Sequence, residues 1–366
     1  MNRTFWHSPA LFLLMLTALA GPSVPIAAAA DGCYRTEIMA DLRWISSAEW
    51  VAERGELAVV DPLQNSIFLI SPQGKVERFD SSPIVDDPKR FVPATLARVQ
   101  DGYLLKMVNA RTFLLGPDLG RRSEFDIVHA SSSTKGSVGS FYDSVSLESS
   151  LLVYGTVLEP QPGQRRTGFF QVPVKSARDF DFLLAHSAAD YYLIGHHYIT
   201  GLGRTGYFLT MGGEAELYEV PAAGGQLRKL KALPADFRHV PPFPAPSNGA
   251  ASDEILFKQL EGFKVLVGVY GQGSFVFLLT REPGSSGGTV WKLHKIDPKR
   301  DVLVGSVTLP TSTNHLTLVP TKDWWFVFEK KAVHAGGQQD IPTLLALPTS
   351  SVQSLSLPAA CPSPAK

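Results

Sequence analysis

From Glu56 onward, short apolar runs alternate with polar turns. Between Glu56 and Phe79 the run ELAVVD is followed by PLQN, SIFLIS, PQG and KVERF. Strand side chains point alternately to opposite faces, so such runs, bounded by turn residues, predict strands and hairpins. Pro62, Asn65, Pro72 and Gly74 supply the turn chemistry. The same succession recurs over Asp101–Ile127, Ser150–Leu184, His196–Leu233, Lys264–Leu309 and Asp323–Leu357. SIFLISPQGKVERF aligns with ELYEVPAAGGQLRKL and with TVWKLHKIDPKRDVLVGSV. Runs such as KVLVGVY and WWFVFE carry apolar residues at successive positions, as strands covered on both faces require.

Six such units fill the roughly 336 residues after Ala30, roughly 56 each, longer than the 40–50 residues usual in WD40 or kelch repeats. The excess falls in the stretches Glu159–Arg166, Arg238–Glu254 and Glu282–Gly288. In this pattern the chain resembles a six-bladed β-propeller of the broad NHL, TolB-like and lactonase-like superfamily. The resemblance implies an all-β fold with six blades of four antiparallel strands. It places the blades near residues 44–80, 92–128, 138–186, 190–233, 256–309 and 315–358 of one domain spanning 31–366. Family fingerprints are absent: no Gly-His is followed by a matching Trp-Asp, and there are no kelch Gly-Gly doublets in register and no regular Asp-x-Asp-x-Asp-Gly motif. The rival fold is a pair of β-sandwiches joined at the proline-rich loop Pro241–Pro246.

The chain's start reads differently. Arg3, the apolar run Leu11–Ala20 and the small-residue site Ala28-Ala29-Ala30 form a cleavable secretory signal over residues 1–30. The run is shorter than the roughly 20 residues that span a bilayer, and Pro22 and Pro25 follow it. The expected location is therefore periplasmic or extracellular, with no transmembrane segment after cleavage. Cys33 and Cys361 are the only cysteines, and an even count in an exported chain reads as a disulfide. On a propeller that bridge would lock the ring at its seam and bring the two ends of the mature chain together.

Lysine plus arginine equals aspartate plus glutamate, 34 each, so no basic face for nucleic acid is implied. Propellers bind ligands at the mouth of the central channel, near the junctions between blades. His129, His186, His239 and His315 each follow an expected outer strand. Imidazoles gathered there could hold a divalent metal such as Zn or Cu, or serve in proton transfer. Turn residues that merely tolerate histidine explain the same positions. His196-His197 is no metal dyad, because neighbours on a strand face opposite ways. The lactonase-like resemblance implies calcium held by Glu, Asn and Asp. Asn109, Asp143, Asp190, Asn314 and Asp323 are of the right type, with no spacing that selects among them.

There is no C-x-x-C, H-E-x-x-H or Walker sequence, and the one G-x-S-x-G match, Gly284–Gly288, falls in the Glu282–Gly288 stretch between two strands rather than at a strand-to-helix elbow. Gly271–Ser274 reads as a hairpin turn, Pro241–Pro246 as a stiff surface loop, and Trp324-Trp325 and Tyr191-Tyr192 as rings packed between blades. The expected function is a non-catalytic binding or scaffold module, acting as a monomer, for a protein, peptide or glycan. The rival is a metal-dependent, lactonase-like hydrolase with its ion in the channel.

Overall fold

A computed structural model describes residues 32–38, 42, 45–99, 101–109, 111–124, 131–132, 136–147, 150–159, 161, 164–173, 180–185, 198–211, 215–221, 226–234, 263–285, 288–313, 315–330 and 342–362. The first strand, β1 (Tyr34–Glu37), belongs to the last blade. Blade 1 is β2 (Ser47–Val51), β3 (Glu56–Asp61), β4 (Ser66–Ile70) and β5 (Val76–Arg78). Blade 2 is β6 (Pro93–Val99), β7 (Gly102–Met107), β8 (Thr112–Leu115) and β9 (Arg121–Glu124). Blade 3 is β11 (Gly136–Leu147), β12 (Ser150–Leu158), β13 (Arg165–Pro173) and β14 (Asp181–Ala185), with a two-residue strand, β10 (Ser131–Ser132), added along β11. Blade 4 is β15 (Ile199–Leu202), β16 (Thr205–Met211), β17 (Ala215–Val220) and β18 (Arg228–Leu230). Blade 5 is β19 (Val265–Gln272), β20 (Phe275–Pro283), β21 (Thr289–Asp297) and β22 (Val302–Thr308). Blade 6 is β23 (His315–Pro320), β24 (Trp324–Lys330) and β25 (Thr343–Pro348), with β1 outermost.

Every ladder is antiparallel, and the chain meanders from the inner to the outer strand within blades 1 to 5. The inner strands touch in the order β2, β6, β11, β15, β19, β23 and back to β2, which closes the ring. This is a six-bladed β-propeller of four-stranded blades, as the repeat implied. Its only α-helix among the described residues is α1 (Thr349–Gln353), and no helix there is long and apolar enough to cross a membrane.

The turns follow the local chemistry. Asp61 accepts the Leu63 N–H at 3.1 Å, opening a 3-10 turn at Pro62–Gln64 that ends on Asn65 in the left-handed region. Gly273 and Ser274 form the tip of the β19–β20 hairpin, as expected. Blade faces pack on each other round the ring. Leu105 and Phe113 of blade 2 meet Ala58 and Ile67 of blade 1, and Phe277 of blade 5 meets Trp325 of blade 6 with ring centroids 5.1 Å apart. Trp325 is fully buried there, while Trp324 packs on the opposite face against Tyr34. Burying an aromatic side chain of this size stabilises by about 2–3 kcal/mol before cavity effects.

The seam differs from the sequence expectation in one respect. The fourth strand of blade 6 comes from the other end of the chain, where Tyr34–Glu37 pairs with Ala346–Thr343. The segment after Pro348 forms α1 and coil instead. Arg35 adds a bidentate pair to buried Glu329 at 2.8 and 2.9 Å, and its backbone N–H reaches the Pro362 carbonyl. Cys33 and Cys361 form the disulfide, with Cα atoms 5.3 Å apart.

Cys361→Ala is expected to cost about 2–5 kcal/mol in denaturant unfolding, and reduction of the wild type should cost a similar amount. Gly102 lies so close to the next strand that an added Cβ would sit 2.0 Å from the Leu115 carbonyl. Gly102→Ala should therefore lower stability by about 1–3 kcal/mol through forced backbone movement, read in the same assay.

Candidate functional site

The junction histidines expected at the channel mouth are only partly placed. His129, His186 and His239 lie outside the described residues, as do His196, His197, Tyr191, Tyr192 and Pro241–Pro246. His315 opens β23 opposite Lys330, and its side chain is outside the description. Of the oxygen ligands considered for calcium, Asp190 and Asn314 lie outside the described residues. Asn109 turns back on its own chain to accept the Arg111 N–H at 3.2 Å, and Asp323 sits in the β23–β24 turn. Only Asp143 stands on an inner strand. Among the described residues, no three His, Cys, Asp or Glu side chains are placed to hold one metal ion.

Three alternate blades do converge near the axis. Glu49 of β2 and Tyr270 of β19 both feel the charge of Asp143 on β11. Glu49 Oε1 accepts the Arg98 N–H of β6 at 3.3 Å. Glu49 keeps some water-accessible surface, but protein surrounds it on every side of the narrow axis. Burial pushes its carboxyl up to about 8, the Arg98 N–H opposes that rise, and the Asp143 charge adds to it. Burial likewise pushes the Tyr270 phenol well above its ordinary range, with Asp143 adding to the rise and a hydrogen bond with the Leu318 backbone opposing it. Near neutral pH the Glu49 carboxyl and the Tyr270 phenol are therefore both mostly protonated, each within reach of the Asp143 charge. Both can donate hydrogen bonds to a polar ligand or to each other's neighbours.

A second polar site lies off the axis, on the face of blade 5 that is turned toward blade 4. On β20, β21 and β22 this face carries Thr280 and Glu282, then Lys292 and His294, then Ser306 and Thr308. With Lys264, Leu303, Val307 and Pro234, several of these side chains line a cavity of about 270 Å³. Glu282 Oε2 accepts Lys292 Nζ at 2.6 Å, and Glu282 Oε1 lies 3.1 Å from Lys264 Nζ. Burial would raise the Glu282 carboxyl, but the Lys292 and Lys264 hydrogen bonds outweigh it and hold the group below its ordinary value. His294 is buried between Thr280 and Ser306.

The position of Ser306 depends on a bulge. Ile296 pairs with Leu303 and Lys295 with Gly305, so Val304 is an extra residue in β22. That insertion turns both Leu303 and Ser306 to the cavity side, although three positions apart on a regular strand would face opposite ways. A Cβ at Gly305 would come 2.7 Å from Leu355 Cδ1, so a larger residue there would push that side chain aside. The bulge also ends a run of exposed apolar residues: Val302, Leu303 and Val304 are 44%, 39% and 49% exposed. β22 is the outer edge of blade 5 and carries no charged residue. The other outer strands carry Glu77 and Arg78, Arg121 and Arg122, Asp181, Arg228 and Lys229, and Arg35 and Glu37.

No protein-family pattern matches the sequence, and no curated protein matches it. In fold it is similar to a DUF4221-family protein of Bacteroides vulgatus, with TM-score 0.51 and 10% identity over 86% of this chain and 95% of that one. It is also similar to a gluconolactonase of Xanthomonas campestris, with TM-score 0.46 and 9% identity over 87% of each chain. A streptogramin B lyase gives TM-score 0.41 and 11% identity over 87% of this chain and 98% of that one. The likeness is one of fold.

The axial carboxyl makes stability depend on pH. Unfolded Glu49 loses its proton near its ordinary value of 4.5, whereas the folded group keeps it to about 8. The unfolded chain thus binds fewer protons across that window, and stability from this group falls as pH rises through it. Glu49→Gln should be less sensitive to pH than the wild type between these values, and more stable than it at the upper end. Urea unfolding at both ends of the window checks this.

Proposed function

We propose that this protein is an exported binding module that takes up an extended segment of a protein partner along β22. The observation that carries the reading is the outer edge of blade 5, where three consecutive apolar side chains are exposed and no charge guards the strand. An edge strand offers a row of backbone donors and acceptors, and proteins normally blunt such edges with charges or short length. The other five outer strands of this ring carry those charges; β22, at seven residues, does not. An incoming strand would gain backbone hydrogen bonds from the edge and side-chain contacts from Val302 and Val304.

The fold already uses strand addition of this kind. β1 joins blade 6 at its outer edge after a separation of some 300 residues along the chain. Export is supported by the signal-like start of the sequence and by the Cys33–Cys361 disulfide, which persists in oxidising compartments. The neutral overall charge agrees with a partner recognised by shape and backbone pairing rather than by electrostatic steering.

Peptides selected from a random displayed library against the whole propeller should protect the backbone amides of β22 in hydrogen exchange. V302K/V304K, which places charges on exposed positions, should weaken their binding at least about tenfold, roughly 1.4 kcal/mol, with little change in Tm. Protection elsewhere on the ring, or undiminished binding by V302K/V304K, would overturn the reading.

A further inference from the structure

We propose that Ser306 is a nucleophile for acyl transfer from small carboxylic esters, with His294 as its general base. This goes beyond the binding role and does not depend on it. The argument rests on the direction of a hydrogen-bond chain. Glu282 is ionised and can only accept. Thr280 Oγ1 lies 3.2 Å from Glu282 Oε1, so the hydroxyl donates to the carboxylate. Its lone pair then accepts from His294 Nε2 at 2.8 Å, which fixes the Nε2–H tautomer. His294 Nδ1 is left as an acceptor, and Ser306 Oγ lies 2.6 Å from it. The serine proton therefore points at a base oriented by a relayed carboxylate, the arrangement that activates a hydroxyl.

Placement supports the same chemistry. His294 is 3% exposed while Ser306 is exposed, so the base is shielded and the nucleophile is not. The pair borders the cavity of about 270 Å³, whose apolar side is Leu303, Val307 and Pro234. Lys264 and Lys292 line it too; both ammonium groups pair with Glu282, so two cations against one carboxylate leave a net positive charge that would favour an acyl oxyanion in the cavity. A histidine serving only to satisfy neighbouring hydroxyls would not need an outward-facing serine on a bulged strand beside that cavity.

In the first half-reaction Ser306 Oγ bonds to the acyl carbon and its proton passes to His294 Nδ1. The tetrahedral adduct expels the alkoxide, which takes that proton and leaves as an alcohol. Water repeats the sequence on the acyl-serine, releasing a carboxylic acid and restoring Ser306. Ser306 and His294 touch the reacting atoms; Thr280 and Glu282 are positioning residues.

The test uses an alkyl fluorophosphonate and p-nitrophenyl acetate on the full-length protein. The fluorophosphonate should form one Oγ–P bond at Ser306 with loss of fluoride, located by mass mapping. Ser306→Ala should abolish that adduct and lower ester hydrolysis at least about 100-fold, while the fold survives with a lowered Tm because buried His294 Nδ1 loses its partner. Thr280→Val should lower kcat with little effect on KM, and Thr280→Ser should restore it. No adduct at Ser306, or ester hydrolysis equal in the wild type and Ser306→Ala, would overturn the proposal. Both readouts use small molecules, so they stand or fall separately from peptide binding at β22.

Discussion

Everything in this molecule hangs on the closure of one ring. Each blade buries both faces only because a neighbour stands on either side, so a gap anywhere would expose two apolar faces. The seam is where such a gap would open, and it is fastened by three kinds of interaction. The β1–β25 ladder supplies backbone hydrogen bonds, the Arg35–Glu329 pair supplies a charge-assisted bond, and Cys33–Cys361 supplies a covalent link. Glu329 is buried, and the desolvation of its carboxylate is offset by two guanidinium bonds and one from Thr343.

Closure also explains where polar chemistry can sit. Inter-blade faces are filled by rings and branched aliphatics, such as Trp50 stacked on Phe326 across the seam at 5.3 Å between centroids. Among the described residues, polar groups gather where inner strands of alternate blades approach and along the blade 5 face that borders the cavity. Glu49, Asp143 and Tyr270 are the first kind. Glu282, Thr280, His294 and Ser306 are the second, and every one of those four has a hydrogen-bond partner within the group or in the flanking lysines. A buried polar network satisfied in this way fixes side-chain orientation, which a functional site requires.

Much of the fold was legible in the chain. The alternation in ELAVVD-PLQN-SIFLIS specifies a hairpin because strand period and turn residues are local properties, and two cysteines at the ends leave one possible pairing. The short β1 was not legible: YRTE has neither length nor apolar alternation, and becomes a strand only through the edge that β25 offers. The segment SVQSLSL alternates like a strand, yet part of it forms α1 because no free edge is left for it in blade 6. The blade 5 relay was missed for a similar reason. Thr280, His294 and Ser306 come from three strands, and their meeting depends on register and on the bulge at Val304, which no spacing along the chain records. Glu49 and Asp143 carry no motif; only closure brings alternate blades together.

The loan of β1 to blade 6 imposes an order on how the chain comes to be. Its pairing partner, Thr343–Ala346, follows it only after the strands of five other blades, so β1 must wait, unpaired, while those blades are made. Blades 1 to 5 can each assemble from neighbouring sequence, but the sixth is a long-range event whose loop-closure entropy falls on the final step. A truncated or stalled chain would therefore hold an open arc with two sticky faces, and completion of the last blade is what converts it into a finished particle.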